Sequence, residues 1–181
     1  THLSESRQEI ETVASLFPEA RDYTDVYDHF GLVGRNSLFG HCIHLGERER
    51  LRLAGAGAVA VRCPTSNLFL GSGLFDWQRA RDSGMTVAIA SDIGAGTSYS
   101  MLRTLGEAFK VQRLLGHTLD PFAAFHAVTL GNATALRLDQ RIGSFAPGRE
   151  ADFVVLDAGA TPEMAHRLER VTSLADELFL L

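Results

Sequence analysis

Two histidines and two carboxylates in this sequence have the types and settings of a site that moves protons around a metal ion. His2 and Glu5 stand close together in Thr1-His2-Leu3-Ser4-Glu5, His41 lies in Gly40-His41-Cys42-Ile43-His44, and Asp92 opens Asp92-Ile93-Gly94-Ala95-Gly96. Imidazole and carboxylate both suit zinc. An open position on such a metal holds a water whose protons a nearby carboxyl group can carry. Each of these groups falls where a strand should end. In parallel α/β sheets and barrels, ligands bind at the carboxyl ends of the strands, so such side chains converge on one pocket.

Plainer readings compete at every position. His2 could be a terminal residue without a role, and Ser91-Asp92 before Ile93-Gly94 is also ordinary turn chemistry. A histidine in an apolar strand, as His41 is, is more often a satisfied core residue than a ligand. His44 sits at an odd offset from His41, which points it to the opposite face of a continued strand. Glu9 reads as part of a solvated helix face. Gly94-Ala95-Gly96 lacks both the Gly-Lys-Ser/Thr ending of a phosphate loop and the dinucleotide fingerprint, and reads as a loop of close backbone approach. The cytidine-deaminase zinc pattern needs Pro-Cys-x-x-Cys, whereas here the order is Cys63-Pro64. That class is excluded.

The elements that must position these groups alternate in type. Ser6–Phe17 carries Ile10, Val13, Ala14 and Phe17 at helical spacing, with Ser4 as N-cap and Pro18 as stop. Ser37–Ile43 reads as a short buried strand, and Glu47–Ala56 as a helix with Leu51 and Ala54 facing inward. Ala58–Cys63 is the next strand, followed by a loop over Pro64–Gly73 and a short helix over Leu74–Asp82. Thr86–Ala90 is a strand of the continuous apolar kind expected when both faces are covered. Asp92–Thr97 is a Gly-rich turn, and Leu102–Leu115 and Pro121–Leu130 are helices, the second extended by Asn132–Leu136. This order predicts right-handed βαβ units and a parallel sheet. The tail differs: Ile142–Asp157 has Pro147-Gly148 between two β-rich pieces and reads as a hairpin-like element.

Composition sets the outer limits. Of 181 residues, 45% are hydrophobic and 22% charged, which suffices for a core. The net charge is −5, from 17 basic and 22 acidic residues that are scattered rather than blocked. That argues against a nucleic-acid surface or an anionic-membrane partner. No apolar run reaches the roughly 18 residues of a membrane span, and no signal-peptide pattern is present, so a cytoplasmic setting is expected. Cys42 and Cys63 are too few for a disulfide framework and read as reduced, half-buried thiols.

Taken together, five stretches resemble the amidohydrolase superfamily, and within it the guanine deaminases. They are Thr1–Glu5, Gly40–Leu45, Cys63–Gly73, Ser91–Gly96 with Ser98–Leu102, and Ile142–Leu156. The last is shared widely across the superfamily, whereas CPTSNLFLGSGLF and SYSML are more specific. The resemblance implies an α/β fold: the C-terminal half of a metal-dependent-hydrolase (β/α)8 barrel, strands five to eight, over residues 1–138. Residues 139–181 would be part of a small β-sandwich. It implies one Zn2+ per site, with Fe2+ as the alternative, held by His2 and Asp92. Glu5 would protonate the purine ring, His41 would orient the attacking water, and Asp92 would accept its proton. His2, Leu3, Ser4, Glu5 and Asp92 would line the bound guanine, which leaves as xanthine and ammonia. The full-length enzyme would be a cytoplasmic homodimer with no nucleic-acid or membrane partner.

The superfamily's His-x-His pair from the first barrel strand has no counterpart here, because His41-Cys42-Ile43-His44 has the wrong spacing. The expectation is therefore a fragment, inactive alone, whose outer strands present open edges. Two other readings remain: another aminohydrolase or chlorohydrolase of the same superfamily, and a non-catalytic α/β domain that binds a partner through those edges.

Overall fold

A computed structural model describes residues 1–181, and of Leu180 the backbone alone. The chain divides into two compact units, Thr1–Thr118 and Leu119–Leu181. The first holds a sheet of four parallel strands in the order β1-β2-β3-β4. These are β1 (His2–Leu3), β2 (Leu38–His41), β3 (Val59–Arg62) and β4 (Thr86–Ile89). Register pairs Leu3 with His41, Gly40 with Val61, and Arg62 with Ile89, so the carboxyl ends lie along one edge. Leu3, Phe39, Val59, Ala60 and Ile89 are buried, the pattern of strands covered on both faces.

Helices α1 (Arg7–Leu16) and α2 (Tyr23–His29) join β1 to β2, and α3 (Glu47–Ala56) joins β2 to β3. Ser6, rather than Ser4, caps α1: its hydroxyl accepts the Glu9 amide at 3.1 Å. Glu9 is correspondingly not a free surface charge. Its carboxylate accepts the Glu5 amide at 2.8 Å and the Tyr23 hydroxyl at 3.1 Å. Ser6-x-x-Glu9 is the signature of a capping box, with the glutamate here reaching one residue further back.

α3 keeps its expected bounds but buries a different face. Leu53 is fully buried while Leu51 is exposed, and Glu49 and Arg50 are buried beside Leu53. Polar bonding explains the rotation. Glu49 accepts from the Gly46 amide at 2.7 Å and from the Thr24 amide and hydroxyl at 3.1 and 2.9 Å, and Arg50 donates to the Leu45 carbonyl at 2.6 Å. Salt bridges from Arg48 to Asp22 and Arg52 to Asp28 tie the outer face to α2.

The expected loop after β3 is a helix, α4 (Pro64–Leu70), followed by α5 (Trp77–Asp82). Proline at the first helical position needs no amide partner, and Gly71 closes α4 in the left-handed conformation at φ 70°. After β4, α6 (Met101–Leu114) packs Leu105, Ala108 and Val111 inward and lies against α4. Arg62, the last residue of β3, is buried with its guanidinium 3.5 Å above the Trp77 ring. Its Nε and Nη2 have no hydrogen-bond partner, and burial pushes its pKa down to about 9.

The second unit is helical: α7 (Pro121–Val128), α8 (Leu130–Ala135), α9 (Pro162–Leu168) and α10 (Leu174–Leu180). Its interior is built from small side chains, Ala124, Ala127, Ala133 and Ala135. The hairpin expected over Ile142–Asp157 does not form. Among the described residues this segment pairs with no strand, and one backbone bond, from the Glu150 amide to the Arg141 carbonyl, brackets its first half. A β ladder needs a partner. Phe153, Val154 and Val155 instead stand 65–83% exposed.

Candidate active site

Four residues at the strand ends share an unusual backbone. Ser4 follows β1 at φ 50°, His41 and Cys42 end β2 at 67° and 52°, and Asp92 follows β4 at 51°. A non-glycine residue in this left-handed region is strained, and such strain persists where the surroundings over-determine it, commonly at functional sites. The Gly-rich turn after Asp92 is built by close approach, as its composition predicts. The Gly96 amide bonds the Asp92 carbonyl at 2.6 Å, and a Cβ on Gly96 would meet the Ser91 carbonyl oxygen at 1.7 Å. Only glycine fits there.

These turns bring three of the expected catalytic groups together. His41 Nε2 lies 3.5 Å from Glu5 Oε2 and 4.0 Å from Asp92 Oδ2. His41 is 2% exposed, whereas Glu5 and Asp92 are 19% and 32% exposed, so a buried imidazole faces two carboxylates that open toward solvent. The His2 ring stacks on His41 with centroids 5.1 Å apart and planes 14° from parallel. His2 itself is exposed, while Leu3 and Ser4 are fully buried. Their carbonyls accept from the Cys42 and His44 amides, and the Ser4 hydroxyl has no partner. β2 ends at His41, so the strand alternation expected to turn His44 away does not reach it: its Nε2 meets the Ser72 carbonyl at 2.8 Å and it lines a cleft beside Glu5.

The sequence reading missed three groups. Cys63 Sγ joins His41 and Asp92 in a set of ligand atoms lying within 4.8 Å of one another, a set that does not include His2. Imidazole, thiol and carboxylate are donors zinc accepts, so the donor chemistry fits a borderline divalent metal. Burial and the nearby Asp92 push the Cys63 thiol up to about 12, which keeps it protonated at neutral pH when no metal is bound. Asn67 Oδ1 lies 2.8 Å from His41 Nδ1, and the Ser72 hydroxyl donates to Glu5 Oε1 at 2.8 Å. Beside Glu5 an open cleft of about 520 Å³ is lined by Ser6, Arg7, His44, Leu70, Gly71 and Ser72. That size suits a small ligand.

A parallel sheet with histidine and carboxylates converging at its carboxyl end places the chain in the class of α/β proteins whose sites are built at the strand ends. Residues 1–178 match the amidohydrolase family, and the chain belongs to it. The guanine deaminase of Escherichia coli strain K12 is 48% identical over 181 residues, all of this chain and 41% of that protein. The solved E. coli structure superposes with a TM-score of 0.98, covering 99% of this chain and 42% of the other. Guanine deaminase from C. acetobutylicum, solved with guanine in its active site, is 32% identical with a TM-score of 0.82, covering 97% and 44%. An adenosine deaminase from Xanthomonas campestris with bound zinc is 28% identical with a TM-score of 0.85, covering 98% and 40%. The chain thus spans about two fifths of the length of the relatives it matches, and its strands correspond to the C-terminal half of their barrel. No helix among the described residues is long and apolar enough to cross a membrane.

Proposed function

We propose that these residues form the carboxyl-terminal part of a guanine deaminase active site, where guanine and water yield xanthine and ammonia. One observation carries the reading: His41 Nε2 faces both Glu5, at 3.5 Å, and Asp92, at 4.0 Å, the three coming from three strand ends. Glu5 delivers a proton to the ring nitrogen beside the attacked carbon. Its Oε1 is held by Ser72, which leaves Oε2 on the side of His41. His41 Nε2 hydrogen-bonds and orients the attacking water. Asp92 takes one of that water's protons and gives it to the departing amine, which leaves as ammonia, while the new hydroxyl returns its proton to Glu5 as the carbonyl forms. A step of this kind contributes about 10²–10⁴-fold. Guanine lies against His2, Glu5 and Asp92, next to the cleft that Glu5 borders; Leu3 and Ser4, expected to line it, are fully buried and support the turn that carries Glu5 instead.

His2 and Asp92 would hold a zinc or ferrous ion; His41 and Cys63 offer further donor atoms beside Asp92, and the His2 ring stacks on His41. Such an ion brings the pKa of a coordinated water to about 7. These residues supply a partial ligand set, so turnover needs ligands from outside them. A cytoplasmic homodimer, with no nucleic-acid or membrane partner, belongs to the same proposal.

The test is turnover of guanine, adenine and a chlorotriazine by the purified full-length enzyme. The expected result is xanthine from guanine and no reaction of the other two. Dechlorination of the triazine without xanthine would favour the chlorohydrolase alternative.

A further inference from the structure

The three proton-handling side chains come from three strand ends, yet α4 and the residues just after it contact two of them and the backbone beside the third. Thr65 donates to the Ser91 carbonyl at 3.1 Å, just before Asp92, and Ser72 donates to Glu5 at 2.8 Å. Between them Asn67 faces His41 at 2.8 Å. An amide oxygen only accepts, so this contact puts the ring proton on His41 Nδ1 and leaves Nε2 toward Glu5 and Asp92. Asn67 is 2% exposed, so water does not compete for the bond.

The other half of the amide is informative too. Asn67 Nδ2 is buried without a partner. A buried unpaired donor costs stability, and one in a native interior calls for an explanation. Packing alone would be better served by leucine. The bond to His41 is what an asparagine supplies there.

We propose that Asn67 is a positioning residue that fixes the Nδ1-protonated tautomer and the rotation of His41, so that Nε2 presents to Glu5 and Asp92. The consequence for turnover rests on the deaminase reading; the tautomer itself does not.

Asn67→Ala and Asn67→Asp in the full-length enzyme test this through kcat, KM, zinc content and 15N NMR of labelled histidine, with His41 assigned by a His41→Gln variant. Loss of a partner that orients a site histidine typically costs 10–100-fold. Asn67→Ala should therefore lower kcat by about that factor, with KM within about threefold and zinc content unchanged. It should also lose the Nδ1-protonated His41 signal. Asn67→Asp keeps the acceptor and should keep the signal and recover most of kcat. Wild-type kcat in Asn67→Ala, or an Nδ1-protonated signal that persists there, would overturn the proposal. Should Asn67→Ala not fold, Asn67→Asp decides: a retained signal supports the role and a lost one refutes it. Absence of guanine turnover in the wild type would count against the functional reading, and the NMR arm would still judge Asn67.

Discussion

The two compact units handle polarity in opposite ways. Among the described residues, every buried polar or charged one belongs to Thr1–Thr118: Ser4, Thr24, His41, Glu49, Arg50, Arg62, Thr65, Ser66, Asn67, Thr104 and Gln112. Leu119–Leu181 buries mainly alanines and leaves Phe145, Phe153, Val154 and Val155 at 65–83% exposure. A unit built only to be stable would avoid the first pattern, because buried polar groups cost free energy unless every partner is met. Here several are unmet: Ser4 Oγ, Arg62 Nε and Nη2, Ser66 Oγ and Asn67 Nδ2. The first unit has the marks of a site held in place against its own stability. The second has the marks of a surface whose contacts lie elsewhere.

The sharpest way to break this contrast is Asp92→Asn in the full-length enzyme. Asp92 is assigned both a metal contact and a proton, so turnover of guanine should fall by about 10⁴-fold or more, the top of the range for one acid–base group. A loss below about tenfold would remove Asp92 from those roles. Next comes Arg62→Met, which replaces a buried cation lacking an ion-pair partner by an apolar side chain of similar length. Removing an unpaired buried charge relieves a desolvation cost larger than its stacking on Trp77 is worth, about 0.5–2 kcal/mol, so a rise in thermal midpoint is expected with kcat unchanged. A clear drop would mean that Arg62 has a partner that matters. The smallest effect belongs to Phe153→Ser and Val155→Ser in the full-length enzyme, where a face covered by contacts outside these residues should lose about 0.5–3 kcal/mol. A loss below about 0.5 kcal/mol would show that this face is solvated there and would break the reading of the second unit.

Much of the first unit was legible because its signals are local. The apolar runs Ala58–Cys63 and Thr86–Ala90 became β3 and β4, and the polar stretch Glu47–Ala56 became α3. What escaped depends on partners distant in sequence. Leu51 and Ala54 were expected to face inward, but Glu49 bonds Thr24 and rotates the helix to bury Leu53. α2 has a single buried aliphatic residue, Val26, and so carries little periodicity, although Asp22 is an ordinary cap. α4 was hidden inside the loop expected over Pro64–Gly73, though proline first and glycine last are helix punctuation.

The site divides the same way. His41, Glu5 and Asp92 could be named from their types at strand ends. Cys63, Asn67 and Ser72 could not, because only the fold brings α4 against β1, β2 and the turn after β4. The tail misled for a physical reason: Ile142–Asp157 has the residues of a strand, and composition does not reveal whether a partner strand is at hand.

The central claim is that Glu5 carries protons in this site. Glu5→Gln in the full-length enzyme keeps the shape and the Ser72 contact while removing the titrating group. Xanthine formation should fall about 10²–10⁴-fold with metal content unchanged. Turnover within about threefold of wild type, at full metal content, would contradict the account, being far less than the loss of a general acid–base group entails.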